Sequence, residues 1–517
     1  MANKMLFNSY AGALLPAANS INAEGAGAYA LPQKAALAQL AVTGCLNSTF
    51  YVHASGQLGE ALSLARELDA EFVARMAVYA REHGRMKDMP ALLLAVLSVK
   101  SPELLRKVFA RVIDNGRMLR TFVQILRSGV AGRKSLGSAP KALVRQWLNG
   151  ASERQLMDAA IGADPSLADV VRMVHPKPLD ASREAFYGWL LGRPYALDAL
   201  PVKLQQYLVY QYDRTQPTPE VPFQMLTALK LGREEWAAIA RNASWQMLRM
   251  NLNAFVRHGV FEIAGMAELV ARKLRDAGAI RKVRALPYQL QVACVAAGSA
   301  VPAVVREALQ DALEISLENV RAFGGRVVVC PDVSGSMASP VTGLRRGATS
   351  AVRCIDVAAL MAAAVLRTNR NALVLPFEAR VREMELNARD AVMTNASKLA
   401  AIGGGGTNCS APIAWLNQRR ERADLVILVS DNQSWVDSRG AGPTETMRQW
   451  NAFKERNPRA KLVCIDVQPL ANTQAKDRED VLNVGGFSDQ VFEVVNAFAA
   501  GELRAGYWVE RIEKIVL

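Results

Sequence analysis

Histidine and cysteine are scarce in this sequence, and their scarcity narrows the chemistry first. Four histidines and six cysteines are spread over 517 residues. The cysteines (Cys45, Cys294, Cys330, Cys354, Cys409 and Cys464) form no C-x-x-C pair, and none lies near a histidine at metal-ligand spacing. A zinc site is therefore not expected, and scattered thiols with apolar neighbours suit a reducing compartment. The opening Met1-Ala2-Asn3-Lys4-Met5 leads into no continuous apolar stretch, so no secretory signal is expected. The longest apolar run, about Ala358 to Leu366, is too short to span a bilayer. The chain accordingly reads as soluble and cytoplasmic, without membrane contact. Also absent are G-x-x-x-x-G-K-[ST], H-E-x-x-H and G-x-S-x-G, which disfavours a Walker NTPase, a zinc protease and a serine hydrolase of those types.

What is present is ample apolar material and an excess of positive charge. Hydrophobic residues make up 51% and charged ones 21%, a globular composition too long for one ordinary core, so two or more domains are expected. Lys and Arg number 62 against 48 Asp and Glu, a net charge of +14. Residues 1–320 hold 37 basic and 27 acidic side chains, and within them 101–150 holds 10 against 2. A polyanionic partner, if there is one, should meet the N-terminal part.

From about residue 30 to 320 apolar residues recur at helical spacing. Ser101 followed by Pro102 predicts an N-cap and first helical position, with Leu104, Leu105, Val108, Phe109 and Val112 forming the buried face. The next helix buries Met118, Leu119, Phe122, Val123 and Leu126, and its Arg117, Arg120 and Arg127 fall on another stripe. A third, opening near Pro140, sets Lys141 and Arg145 against Val144, Trp147 and Leu148. No repeat of fixed period is found, yet stacked helix pairs suit so long an all-helical stretch better than one bundle. A last helix, about Pro302 to Val320, runs toward a stop at Gly324-Gly325.

Beyond it the pattern changes. Residues 326–330, 372–375, 425–429 and 461–465 read as buried strands, and 356–367, 388–401 and 444–455 as the helices between them. That alternation predicts a doubly wound parallel sheet whose site lies at the strands' carboxyl ends. The first strand leads into Asp332-Val333-Ser334-Gly335-Ser336, a Gly403–Gly406 turn leads to Thr407, and a later strand ends in Ser430-Asp431. Asp332, Ser334, Ser336, Thr407 and Asp431 thus offer two carboxylates and three hydroxyls, a hard-oxygen set suited to Mg²⁺ or Mn²⁺ with room for an outside ligand. D-x-S-x-S alone also reads as a turn. The competing chemistry is a metal-dependent ribonuclease using Asp332, Asp431 and Asp466, but hydroxyls stand where two-metal chemistry would place acids.

The order strand–DxSxS, Gly-Gly-Thr, strand–Asp resembles the metal-ion-dependent adhesion site of von Willebrand factor A domains. Together with the basic helical part, the Arg172-Met-Val-His175-Pro-Lys177-Pro178 element and Ala285-Leu-Pro-Tyr288, the chain resembles the Ro family of Y-RNA-binding proteins, as a bacterial-type member. The resemblance implies an all-α, HEAT-like ring of helical repeats (a TROVE domain, residues 16–320) followed by an α/β von Willebrand factor A domain (321–517). It implies non-catalytic binding of small structured Y-like RNA on a basic outer surface and of single-stranded 3′ ends of misfolded RNA in a central hole, for RNA quality control. An exoribonuclease partner is compatible with that role, and the chain reads as a monomer. On this view Arg172, His175 and Lys177 fall at the family's Y-RNA contact element. By charge alone, Arg117, Arg120, Arg127, Arg133, Lys134, Lys141 and Arg145 extend that surface. Arg249, Arg257, Arg281, Lys282 and Arg284 are the candidates for the hole. Read alone, a basic run is a solvated face, His175 a structural histidine, and Trp245 and Tyr288 core residues.

Overall fold

Helices form where apolar residues recur every three or four positions, and strands where β-branched runs are short and buried throughout. The computed structural model describes residues 15–44, 46–283, 287–319, 321–344, 352–435, 442–486, 489–503 and 506–517. The chain divides into two compact units. The sheet unit takes the described residues within Met1–Ala54, Leu286–Val292 and Leu317–Tyr507; the helical unit takes those within Ser55–Ala285, Ala293–Ser316 and Trp508–Leu517. No described helix is long and apolar enough to cross a membrane.

In the helical unit many helices pack on ones that follow shortly in the chain. Ala70–Glu82 lies against Asp88–Lys100 and Pro102–Val112, and Asp88–Lys100 against Gly116–Ser128. Pro102–Val112 meets Ser138–Gly150, while Gly116–Ser128 meets Glu153–Ala159 and Leu167–Val174. This is how stacked helical repeats share a continuous core. Asp88–Lys100 is buried from Met89 to Ser98 and has no polar face, whereas its neighbours are amphipathic. The anticipated caps form: Ser101 Oγ accepts from the Leu104 amide at 3.3 Å, with Pro102 at the first turn. Asn115 Oδ1 does the same for Met118 at 3.0 Å.

Gly116 opens the helix that carries Arg117 and Arg127, and it does so against backbone. A Cβ there would come within 2.1 Å of the Ala159 Cβ and 2.5 Å of its Cα. Gly59, exposed in the helix Ala54–Glu67, would meet nothing within 4 Å. Gly116→Ala is therefore expected to lower stability by about 1–3 kcal/mol through overpacking. Gly59→Ala should raise it by about 0.5–1 kcal/mol through helix propensity. Urea unfolding followed by circular dichroism compares the two; equal midpoints would contradict the contact.

Among its described residues the sheet unit holds two sheets. Strands β1 (Ser20–Ile21) and β2 (Gly27–Ala30) form an antiparallel hairpin. Strands β3 (Val327–Pro331), β4 (Leu373–Val374), β5 (Leu425–Ser430), β6 (Lys461–Asp466) and β8 (Val481–Gly485) form a wholly parallel sheet in the order β4-β3-β5-β6-β8. The short β7 (Asn472–Thr473) pairs instead with β2. The strand order reverses between β3 and β5, the switch point where a doubly wound sheet opens its crevice. Helices Cys354–Thr368, Val392–Ala400, Ala411–Gln418 and Glu445–Arg456 cover the sheet.

The units do not part at a single boundary near residue 320. Residues of the N-terminal segment belong to the sheet unit because they cover its edges. β2 extends the chain to β7, and the helix Gln33–Thr43 packs on the edge strand β8, which would otherwise present unpaired backbone. Gly485 and Gly486 admit that helix: a Cβ on either would fall within 2.4 Å of Gln39 or Thr43 atoms. At the other end Trp508 stacks edge-on against Tyr79, and Arg111 donates to the Val516 carbonyl at 2.5 Å, both within the helical unit. The last long helix of that unit is Ala303–Ser316, continued by a 3₁₀ turn at Leu317–Asn319, so it ends short of the two glycines.

Candidate metal centre and nucleic-acid interface

The loop after β3 and the loop after β5 start side by side because their strands are paired, Pro331 opposite Val429. The Asp332 amide donates to the Val429 carbonyl at 2.8 Å, which fixes Asp332 at the crevice. A third loop is brought in by backbone: Gly335 N donates to Gly405 O at 3.0 Å and Gly404 N to Val333 O at 3.0 Å. Gly404 and Gly405 hold φ of 114° and 82°, conformations in which a side chain would be strained. Thr407 is thereby placed so that its hydroxyl donates to Ser334 Oγ at 2.9 Å, and Ser334 and Ser336 Oγ lie 3.3 Å apart. Asp332, Ser334, Ser336, Thr407 and Asp431 are all buried, at 0, 1, 6, 4 and 3% exposure. The five anticipated positions come together.

The electrostatics of this pocket are unfavourable to the protein alone. Asp332 accepts from the Ser334 amide at 2.8 Å and from the Ser430 hydroxyl at 2.5 Å. Burial still pushes its carboxyl up to about 6, with the Glu378 charge adding to the shift. Burial and the neighbouring Asp332 push Asp431 up to about 7, against a lowering hydrogen bond from Ser336. Two buried carboxylates whose electrostatic neighbours are other carboxylates, ringed by three hydroxyl oxygens, suit a hard divalent cation that would supply the missing positive charge. The donor set fits Mg²⁺ or Mn²⁺.

Asp466 ends β6 opposite Ser430 and is 2% exposed; burial, and then Asp431, hold its carboxyl well above the usual range. Among the described residues no three His, Cys, Asp or Glu side chains are arranged to hold a metal ion. The three-carboxylate cluster of the ribonuclease reading is thus not formed. Ser430 and Glu378 were not anticipated at the site. Glu378 is 5% exposed, pairs with Arg382 at 2.8 Å, and a Cβ on Gly405 would meet its Oε2 at 2.2 Å. No motif spacing marks it; only the run of four glycines at 403–406 hints that something large lies beneath.

The basic candidates separate by what their side chains already do. Arg117, Arg127 and Lys134 are exposed, and Lys141 is half-buried. Arg120 does not share the open stripe with Arg117 and Arg127: it is half-buried and donates to Ile161 O at 2.5 Å and Pro165 O at 3.3 Å. Arg133 likewise donates to Ser98 O at 3.0 Å and Ser135 O at 2.9 Å. Both clamp loops. Arg249 is half-buried on Trp245–Arg257, while Arg257, Arg281 and Lys282 are exposed, and Arg284 lies outside the described residues. Trp245 is a core residue, its indole bonded to Leu274 O at 3.0 Å.

Arg172, His175 and Lys177 are all exposed at the C-terminal end of the helix Leu167–Val174. His175 takes φ of 50°, the left-handed conformation, as the cap of that helix. Two other histidines are spent on stacking, His83 on Tyr79 and His258 on Trp236. The helix end is held from behind by Ser138–Gly150: Arg145 donates to Val174 O, and Asn149 to Lys177 O at 2.9 Å. Arg183 in turn donates to Asn149 O at 3.1 Å. Asn149 and Arg183 carry no sequence signal for this role. Among the described residues Arg172 pairs only with the half-exposed Asp169, at 3.2 Å, a contact that water and salt screen. A rigid platform thus presents two cations and an imidazole.

Residues 326–499 match the family described as the Ro60 vWA domain. The chain is 26% identical, over 93% of its length and 95% of the relative, to the RNA-binding protein RO60 of Deinococcus radiodurans. It is 22% identical to the RNA-binding protein RO60 of Caenorhabditis elegans over 198 residues, 38% of this chain and 29% of that one. Among solved structures, the Deinococcus radiodurans RO (RSR) protein superposes with a TM-score of 0.64 at 24% identity, covering 91% of this chain and 100% of that one.

Proposed function

We propose that this chain is an RNA-binding protein of the Ro type that grips small structured Y-like RNA through its helical unit and carries a divalent cation in its sheet unit; its match to the Ro60 vWA domain and its similarity to a bacterial RO60 support the reading. The observation that carries the reading is the Arg172–His175–Lys177 platform, exposed and braced from behind, in a chain similar to a bacterial RNA-binding relative over nearly its whole length. A-form RNA hides its base edges in a deep, narrow groove, so a protein holds it by shape and phosphates, with Arg and Lys as donors. Single-stranded 3′ ends of misfolded RNA are the second ligand, taken at a separate basic site that includes Arg257, Arg281 and Lys282. Neither task uses a catalytic residue; the role is RNA quality control in the cytoplasm, as a monomer, with an exoribonuclease as the processing partner. Mg²⁺ or Mn²⁺ would be held by Asp332, Asp431, Ser334, Ser336 and Thr407, with a coordination position left for a carboxylate.

Labelled structured and single-stranded RNA, incubated with the full chain and Mg²⁺, tests the reading. Both RNAs should be retarded in a gel and recovered intact. Cleavage that disappears in Asp332→Ala would replace the scaffold with a metal-dependent ribonuclease.

A further inference from the structure

The parallel sheet has a second end, where its strands begin rather than where Asp332 follows them. Strands β3 and β4 start side by side there, because Val328 pairs with Leu373. Between their two entry turns lies a cleft of about 470 Å³, lined by Arg326, Asn369, Arg370 and Asn371 among others. Asn369 ties one wall to the other: its Nδ2 donates to Phe323 O at 2.8 Å, and its Oδ1 accepts from Phe323 N at 3.1 Å. Among the described residues no acidic side chain lines the cleft. Two carboxylates approach it from outside. Asp424 is spent on backbone, its Oδ2 accepting from Arg326 N at 2.8 Å; Gly325 makes room for it, since a Cβ there would fall 2.4 Å from that oxygen. Glu421 takes one nitrogen of Arg326, Nη2, at 2.6 Å, which leaves Nε and Nη1 as donors. Arg370 and Asn371 are exposed, and their side chains form no hydrogen bond or ion pair with other described residues. The exposed Arg420 and Arg422 flank Glu421 and carry positive charge past the rim.

We propose that this cleft is a phosphate site for RNA, held by Arg326, Arg370 and the Asn371 amide, so that the sheet unit makes its own contact with the nucleic acid. The inference rests on the RNA-binding reading and extends it to the unit which that reading leaves without RNA. A planar guanidinium meets two phosphate oxygens at once, and two of them facing one cleft favour a phosphodiester over a neutral ligand. Ligand clefts run from roughly 300 to 1,000 Å³, so this one has room for the sugar or base attached to the phosphate. One local field opposes an anion. The carboxyl end of the helix Cys354–Thr368, capped by Asn369, carries roughly half a negative charge. The two arginines outweigh it. Because the cleft lies where the strands begin, its occupation is independent of any cation held where they end.

The test is binding of a fluorescent RNA hairpin with a single-stranded 3′ tail to the full chain, read by anisotropy at two salt concentrations. Arg326→Gln combined with Arg370→Gln should weaken binding by about three- to tenfold and lower the salt slope by roughly 0.7–0.9 for each phosphate released. Arg370→Gln alone, which removes no described contact, should weaken binding by about two- to threefold and keeps the test valid if the pair disturbs the fold. The same RNA carrying 4-thiouridine, crosslinked by light to the unaltered chain, should mark peptides that contain residues 325–327 or 369–372, a readout that a merely structural role of the arginines would not produce. Unchanged affinity in both glutamine variants, or crosslinks that never reach those peptides, overturns the proposal. If RNA binding falls on replacing Arg172, His175 and Lys177 but not in the glutamine variants, this site goes and the RNA-binding reading stands. Failure of the unaltered chain to bind the RNA overturns both.

Discussion

Replacing Arg172, His175 and Lys177 together by alanine should weaken binding of a structured Y-like RNA by about 10- to 100-fold at moderate salt, and flatten its salt dependence. The slope of log K against log salt should fall by roughly 0.7–0.9 for each phosphate no longer neutralised, so by roughly 1.4–1.8 if Arg172 and Lys177 each neutralise one. The effect should be specific to the side chains, because the platform is held by groups that remain. Arg145 and Asn149 bond the backbone carbonyls of Val174 and Lys177, not the side chains being removed. A single-stranded 3′ tail should be weakened much less, and replacement of Arg257, Arg281 and Lys282 should show the opposite preference. Binding curves for both RNAs at two salt concentrations decide the matter. Equal weakening of both RNAs in every variant would mean one diffuse electrostatic surface. Arg120 and Arg133 are left out of these sets, since their guanidinium groups hold loop carbonyls and their removal would report on folding.

Sequence periodicity read the parallel sheet well because its strands are short, apolar and separated by amphipathic helices. Strands expected at 326–330, 425–429 and 461–465 are found at 327–331, 425–430 and 461–466. It missed β8, where Asn483 interrupts the apolar run; that asparagine is buried and satisfied by Thr473, Ala475 and Asp477. It also missed the hairpin at 20–30, whose small residues show no alternation and whose partners are more than 400 positions away. The five candidate metal positions were legible because each sits at a loop whose place in the sheet follows from strand order. Glu378 was not, since it reaches the centre only through tertiary packing. The basic stripe shows the same limit: helical spacing aligns Arg117, Arg120 and Arg127, but nothing local says that the loop 161–165 folds over Arg120.

If the proposed metal centre holds a cation, the sign of a mutational effect depends on that cation. Burial, and then the neighbouring carboxylates, push the Asp332 carboxyl up to about 6 and that of Asp431 up to about 7, above their ordinary value. Groups whose folded pKa is raised cost nothing below about pH 4. Between about pH 4 and pH 7 the unfolded chain releases protons that the folded one retains, so stability falls with rising pH and stays low above it. A cation that binds the ionised pair reverses that penalty, and near pH 5 it must first displace both protons, which should weaken it by two to three orders of magnitude, roughly. Mg²⁺ or Mn²⁺ should therefore raise the melting temperature of the sheet unit at pH 7.5 by several degrees, roughly, at a hundredfold excess over Kd, and hardly at pH 5. Asp431→Asn removes one buried charge while keeping the shape. With metal present at pH 7.5 the variant should melt below the unaltered protein, having lost the ligand; without metal it should melt above it, having lost the repulsion. RNA affinity should be nearly unchanged in both states, because the basic platform lies in the other unit. Differential scanning calorimetry of both proteins, with Mn²⁺ and with chelator, reads both signs. A variant that melts lower in both conditions would show that Asp431 serves the fold alone and would remove the metal centre.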